Sequence, residues 1–330
     1  MAIYIYIPAQ LNSIIAIKNI IMRTTLKRLM APEIKRTIQE FRYYRQDLFE
    51  KFPKKKIGFV PTMGYLHDGH LSLFKYARDD NDIVAASIFV NPAQFAENED
   101  FDVYPSNFER DYEYLLKEGV DVIFLPTSDM MYTKQHSTWV IPDSDGNLAE
   151  GSSRPGFFRG VATVVAKLFN IIQPHNAYFG QKDAQQAMVL SNMADDLNMN
   201  LNVKVCPTVR LEDGLAMSSR NVNLPKDVRK EANVIFEGLN KAQRYYETVR
   251  ANNNNNAIDK STVLSFKSKE LLSIIETMYK NNNYIDEIHY ISIADKRTME
   301  EIDEVNINDG AIISVAVNMG GVRLIDNMLL

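Results

Sequence analysis

The chain has 330 residues, more than one core usually supports, so two domains are the natural expectation. Its 45% hydrophobic and 24% charged residues are those of an ordinary globular protein, and a net charge of −5 argues against a nucleic-acid binder held by a broad basic surface. A single cysteine, Cys206, excludes an internal disulfide and a cysteine-built metal site, and it fits a reducing, cytoplasmic compartment.

The first 29 residues are apolar but broken by Pro8, Gln10, Asn12 and Lys18, so no run reaches the ~20 residues of a membrane span. They lack a secretory n-region and cleavage site. The basic, acid-free stretch Met22 to Met30 hints at a transit segment; an upstream extension or a misassigned start is the preferred reading.

From Pro32 to Glu50 the pattern predicts a helix. IGFV (57–60) predicts a strand that runs into the turn PTMGYLHDGH and then a helix with apolar residues at Leu71, Phe74 and Ala77. DIVAASIFV (82–90) is apolar throughout, as suits a strand buried on both faces. A helix over 107–119, a strand over 121–126, a helix over 160–173, a strand over 176–180, a helix over 182–198 and a strand over 202–210 follow. This alternation predicts an α/β fold, a Rossmann-like doubly wound parallel sheet with helices on both faces. The segments after Val60, Val90, Gly180 and Arg210 then share the rim where such sheets bind ligands.

Beyond Pro225 two helical stretches (225–248 and 261–280) flank NNNNN at 252–256, which reads as a low-complexity loop. The stretches 286–295 and 310–326 alternate like antiparallel strands. The expected organisation is an extension (1–29), a Rossmann-like domain (30–210) and a smaller α+β domain (211–330).

Five stretches carry chemistry. His67 and His70, two of only five histidines, sit in a glycine-flanked turn at a helix start, where imidazole N–H groups and a helix end suit phosphate oxygens. A metal reading is weaker, because no nearby Glu, Cys or third His completes a site. In GLAMSSRN, Ser218, Ser219 and Arg220 can bind several phosphate oxygens, or a serine can simply cap a helix. In FGQKDAQQ, Lys182 suits a phosphate, Asp183 suits a cap, and Gln186 shares the face of Lys182 as a partner for a hydroxyl or carboxylate. Asn91 and Gln94 of FVNPAQF offer neutral amides to a polar organic substrate, or Asn-Pro merely starts a turn. Arg154 and Arg159 of EGSSRPGFFRG could hold a carboxylate or phosphate, or Arg159 is merely solvated.

Taken in order, PTMGYLHDGH, FVNPAQF, RPGFFRGVATVVAKLFN, YFGQKDAQQ, DGLAMSSRN and RLIDN resemble the pantothenate synthetase (pantoate–β-alanine ligase) family of the H-x-G-H nucleotidylyltransferase superfamily, from about Met30 to the C-terminus. The resemblance implies ATP-dependent adenylation of pantoate, then amide formation with β-alanine, releasing AMP. It implies that His70, His67 and Lys182 are catalytic. ATP would be bound by Met63, Gly64, His67, Gly69, His70, Gly180, Gln181, Lys182, Asp183, Val209, Met217, Ser218, Ser219 and Arg220. Gln94 and Gln186 would bind pantoate, and Asn91, Gln94 and Arg154 would receive β-alanine. Mg²⁺ would ride on ATP, and the chain would form a homodimer. Two residues depart from the family pattern: Phe157 stands where His is usual, and Ser106 where Arg is usual. Alternatives are a nucleotidylyltransferase acting on another small acceptor and a weakened adenylate-binding homologue.

Overall fold

In the computed structural model the described residues are 31–96, 99, 101–143, 149–256 and 265–330, with side chains described only to 252 within the helix that ends at Asn256. The 1–29 extension lies outside them. Among the described residues no helix is long and apolar enough to cross a membrane.

A six-stranded parallel sheet forms the N-terminal half. Its strands are β1 (Glu33–Lys35), β2 (Ile57–Thr62), β3 (Ile83–Ile88), β4 (Val122–Phe124), β5 (Asn176–Gly180) and β6 (Asn202–Cys206), in the order β1-β4-β3-β2-β5-β6. The residue-by-residue alternation of a strand sorts the side chains. Phe59, Ala85, Phe124 and Phe179 enter one core, while Val60, Ala86, Ile123 and Tyr178 enter the other. The first core is covered by α1 (Ile38–Lys51), α6 (Phe157–Ile172) and α7 (Ala184–Asp196). The second is covered by α2 (Asp68–Asp80) and α3 (Phe108–Lys117). Two short helices, α4 (Ser128–Met131) and α5 (Ala149–Ser153), lie in the connection from β4 to α6. Cys206 is buried in the second core, which pushes its thiol up to about 11, as a small apolar residue rather than a reactive one.

The strand order diverges between β2 and β5, so the chain leaves these neighbours in opposite directions at their carboxyl ends. Open α/β sheets bind ligands at that switch point.

The C-terminal half contains α8 (Lys226–Glu231), α9 (Val234–Asn256) and α10 (Ser268–Lys280). They accompany an antiparallel sheet of β11 (Val322–Leu329), β10 (Ile312–Met319) and β8 (Glu287–Ala294). Its core holds Leu239, Ile275, Ile313, Val315 and Val317 and is separate from the two cores of the parallel sheet. A further pair, β7 (Ser265–Lys267) and β9 (Glu304–Asn306), is antiparallel.

Four expectations are corrected. The helix expected over 261–280 begins only at Ser268, because Ser265–Lys267 pair with Glu304–Asn306 as a strand. The helix expected from Pro32 begins only at Ile38, where Thr37 accepts from Glu40 N and the Glu40 carboxylate accepts from Thr37 N, a capping box. The residues just before it pair with β4 as an edge strand. Asn252 to Asn256 continue α9 rather than forming a loop. The strand expected over 202–210 stops at Cys206, and Pro207 supplies no N–H to extend it.

Candidate active site

A cleft of about 740 Å³ opens at the carboxyl ends of β2, β3, β5 and β6 and is roofed by residues of β11. Each wall is built locally. After β2 the chain turns through Gly64 (φ +87°) and Tyr65 (φ +50°). An added Cβ at Gly64 would be strained by the positive φ and would crowd Asp111 and Ile88, each 3.1 Å away. Asp111 of α3 fixes this turn by accepting from Tyr65 N and Leu66 N, each at 2.7 Å. Arg110 donates to Leu66 O at 2.9 Å.

The turn delivers His67 as the N-cap of α2. Its Nδ1 accepts from Gly69 N at 3.1 Å, and His70 Nδ1 accepts from His67 N at 3.4 Å. With both Nδ1 atoms accepting, each neutral ring carries its proton on Nε2, free to donate into the cleft. The rings lie 4.1 Å apart. Burial pulls His67 down to about 2, helped by His70, Lys182 and Arg110, and pulls His70 down to about 4, with Asp183 opposing. Both are neutral donors at pH 7.

After β3, Asn91 caps a short turn, Pro92–Gln94. Asn91 is buried and fully committed: Nδ2 donates to Gln94 Oε1 (3.0 Å) and Gly160 O (3.2 Å), and Oδ1 accepts from Tyr132 Oη (2.8 Å). It therefore holds Gln94, whose amide donates to Met63 Sδ at 3.4 Å. After β5, Gly180 leads into a turn over Gln181–Asp183 that is tied from above. Asn327 Nδ2 donates to Gln181 O (2.7 Å) and Lys182 O (2.9 Å). Arg210 grips Asp326 with two nitrogens, at 2.6 and 3.0 Å. Among the described residues the Lys182 ammonium meets only the neighbouring Asp183 carboxylate, at 3.7 Å. Ser218 caps Ser219–Asn223, and Ser219 Oγ lies 3.1 Å from Tyr104 Oη.

The cleft brings together Met63, His67, Gly69, His70, Asn91, Gln94, Arg154, Gly180, Lys182, Asp183, Gln186, Val209 and Met217 to Arg220. Gly64 and Gln181 do not line it: Gly64 stands behind the histidine turn, and the Gln181 side chain donates to Asn327 Oδ1 instead. Of the two departures, Phe157 lines the cleft under the Arg154 guanidinium, 3.8 Å away, whereas Ser106 lies outside it. Arg159 stacks on Trp139, 3.7 Å away, and is not a cleft residue. Sequence reasoning missed the supports: Arg110, Asp111, Tyr104, Tyr132, Glu150 and the RLIDN residues. Only Glu150 and RLIDN lay in stretches that stood out in the sequence, and then without a role.

A doubly wound parallel sheet whose switch-point cleft is faced by an H-x-G-H turn, a G-Q-K-D turn and an M-S-S-R loop defines an α/β nucleotidylyltransferase-type protein. A family model described as Pantoate-beta-alanine ligase matches residues 33–329. The chain belongs to the pantoate–β-alanine ligase family. It is 46% identical over 296 residues to the pantothenate synthetase of Thermotoga petrophila, covering 89% of this chain and 98% of that protein. It is 43% identical to that of Thermodesulfovibrio yellowstonii, covering 84% and 93%. Among solved structures, pantothenate synthetase from Thermus thermophilus superposes with a TM-score of 0.76 at 38% identity, covering 90% of this chain and 98% of that one. Pantoate-beta-alanine ligase from Francisella tularensis, complexed with beta-gamma ATP and beta-alanine, does so with a TM-score of 0.66 at 36% identity, covering 91% and 98%.

Proposed function

We propose that this chain condenses pantoate with β-alanine at the expense of ATP, through a pantoyl-adenylate intermediate, releasing pyrophosphate and AMP. The observation that carries the reading is one cleft lined by two kinds of group. His67, His70, Lys182, Ser218 and Arg220 supply N–H, O–H and cationic groups for a polyphosphate, while Gln94 and Gln186 supply neutral amides for a small hydroxy acid. The relatives named above support the choice of substrates.

In the first step a pantoate carboxylate oxygen attacks the α-phosphorus. The new O–P bond forms as the bond to the β-phosphate bridge breaks, and pyrophosphate leaves. Attacker and target are both anionic, so the contribution of the protein is positioning and charge neutralisation. His70 and His67 donate from Nε2 to oxygens on which charge builds. Lys182 and Arg220 balance the phosphates, and Met217 to Arg220 close over them. Met63, Gly180, Asp183 and Val209 hold the nucleoside end. In the second step the amine of β-alanine attacks the activated acyl carbon and AMP departs as the leaving group.

Mg²⁺ fits as an ion carried on ATP. His67, His70, Lys182, Ser218 and Arg220 offer nitrogen and hydroxyl donors, which suit an anion, and a Mg²⁺ ion commonly keeps waters and phosphate oxygens as ligands. The reading includes a division into domains 30–210 and 211–330, a homodimer and a cytoplasmic setting. The test is exchange of labelled pyrophosphate into ATP. Exchange that requires pantoate supports the ligase, and exchange supported by another acceptor but not by pantoate overturns it.

A further inference from the structure

We infer that Arg323, Glu150 and Arg154 form a charge chain that positions the Gln94 turn, so that the C-terminal sheet sets the geometry of the neutral-amide part of the cleft. The inference rests on the reading of that part as the pantoate subsite. It makes Arg154 a positioning residue rather than a ligand for the second substrate.

The chain can be followed atom by atom. Arg323, on β11, donates from Nη1 to Glu150 Oε1 at 2.9 Å and from Nη2 to Glu150 Oε2 at 2.8 Å. Tyr290, on β8, adds a hydrogen bond to Oε2 at 3.0 Å. Glu150 is 5% exposed and sits on α5, in the other half of the molecule. One helical turn on, Arg154 Nη1 lies 3.5 Å from Glu150 Oε1. Arg154 then spends its remaining nitrogens on the segment after β3: Nε donates to Glu99 Oε1 at 2.6 Å, and Nη2 donates to Glu99 Oε2 and to Gln94 O at 3.2 Å. Its flat face rests on Phe157. The Nε–Nη2 edge of the guanidinium is taken by Glu99 and Gln94 O and Nη1 is turned towards Glu150, so the Gln94 backbone is held directly.

A second contact fixes the same turn. α5 leads through Arg154 into α6, where Gly160 lets the backbone of Ala93 approach: an added Cβ would stand 2.1 Å from Ala93 O. Asn91 also donates to Gly160 O. The Gln94 turn is therefore seated on α6 and clamped by Arg154, whose own orientation depends on Glu150 and Arg323. Buried ion pairs contribute little net stability, because desolvation offsets attraction; their best-attested use is to set registry. Two arginines and two glutamates in alternation, bridging two separate cores, fit that use.

The test measures KM for pantoate and for ATP in the pantoate-dependent exchange, with Arg323→Met, Arg323→Lys and Glu150→Gln. A small misplacement of a substrate-holding group costs about tenfold to a hundredfold, so Arg323→Met and Glu150→Gln raise the pantoate KM by that order and leave the ATP KM within about twofold. Arg323→Lys recovers part of the loss. Neighbours acting as one unit are non-additive, so the Arg323→Met/Glu150→Gln double variant is no worse than the poorer single. An unchanged pantoate KM in a folded variant, or equal rises for both substrates, overturns the inference. Should Arg323→Met fail to fold, Arg323→Lys and Tyr290→Phe carry the same comparison. A wild-type chain without pantoate-dependent exchange overturns the functional reading and the inference together; a working wild type with indifferent variants overturns only the inference.

Discussion

His70 has its Nδ1 occupied by a backbone N–H and its Nε2 proton directed at a cleft, in surroundings that keep the ring neutral. A neutral imidazole that gains charge-assisted hydrogen bonding only as phosphate charge builds contributes more to the transition state than to the ground state. His70→Ala is expected to lower kcat/KM by ~10²–10⁴-fold, the range of a positioned donor. An unchanged rate in a folded variant would remove His70 from the chemistry. Gln94 makes the complementary case. Its side-chain amide lies beside Met63 and is held by Asn91, while its backbone carbonyl accepts from Arg154. Gln94→Ala is expected to raise the pantoate KM while leaving the ATP KM nearly unchanged; a defect confined to ATP contradicts that placement.

At the scale of the element, the cleft depends on two close approaches that no local propensity dictates. One is Gly64 against Asp111 and Ile88, behind the histidine turn; the other is Gly160 of α6 against the Ala93 carbonyl. A methyl group at Gly160 has nowhere to go, because the atoms it meets are backbone. Gly160→Ala is expected to push the Gln94 turn out of place and to lower pantoate-dependent activity more than it lowers the melting temperature. A fully active Gly160→Ala would show that the turn is not seated there. These contacts also mark what could be read in the sequence. The apolar run of β3 and the 3.6-residue spacing of α6 are local signals, and so are the glycines and histidines of the turn after β2. The edge strand Glu33–Lys35 carries no such signal. It is a strand because Val122–Phe124 offers it a free edge, and that pairing lies far along the chain. The three-residue strands β7 and β9 define each other in the same way. Asp111 looked like any acidic residue on a helix surface, yet its carboxylate is buried against the histidine turn. Glu150 of EGSSRPGFFRG and Arg323 of RLIDN carry no legible role for the same reason: their chemistry exists only once two distant segments meet.

For the whole molecule, the C-terminal sheet is strapped to the parallel sheet by β11. The buried Asp326 carboxylate and the partly exposed Arg210 form a two-point ion pair, and Asn327 holds the Gln181–Lys182 carbonyls. Removing one member of a buried pair costs about 3–5 kcal/mol, because the other is left uncompensated. Asp326→Ala is therefore expected to lower stability in chemical denaturation by that order and to weaken ATP use through the loosened turn; a loss below ~1 kcal/mol would show the strap to be incidental. The histidines link stability to pH. Unfolded, both titrate near 6.5; folded, they titrate at about 4 and about 2. Between these values the unfolded chain binds more protons. The stability that comes from keeping the rings neutral is complete above pH 6.5 and is lost as the pH falls below it, the His70 share down to about 4 and the His67 share down to about 2. A His67→Asn/His70→Asn variant is expected to show a flatter fall in melting temperature over that range, and an unchanged slope would mean other groups dominate it.

The most direct measurement is AMP release with ATP, Mg²⁺, pantoate and β-alanine, leaving out each substrate in turn. The account predicts AMP only when all three substrates are present, with Phe157 no obstacle to the amine step. AMP release that ignores pantoate, or none with the complete mixture, would contradict it.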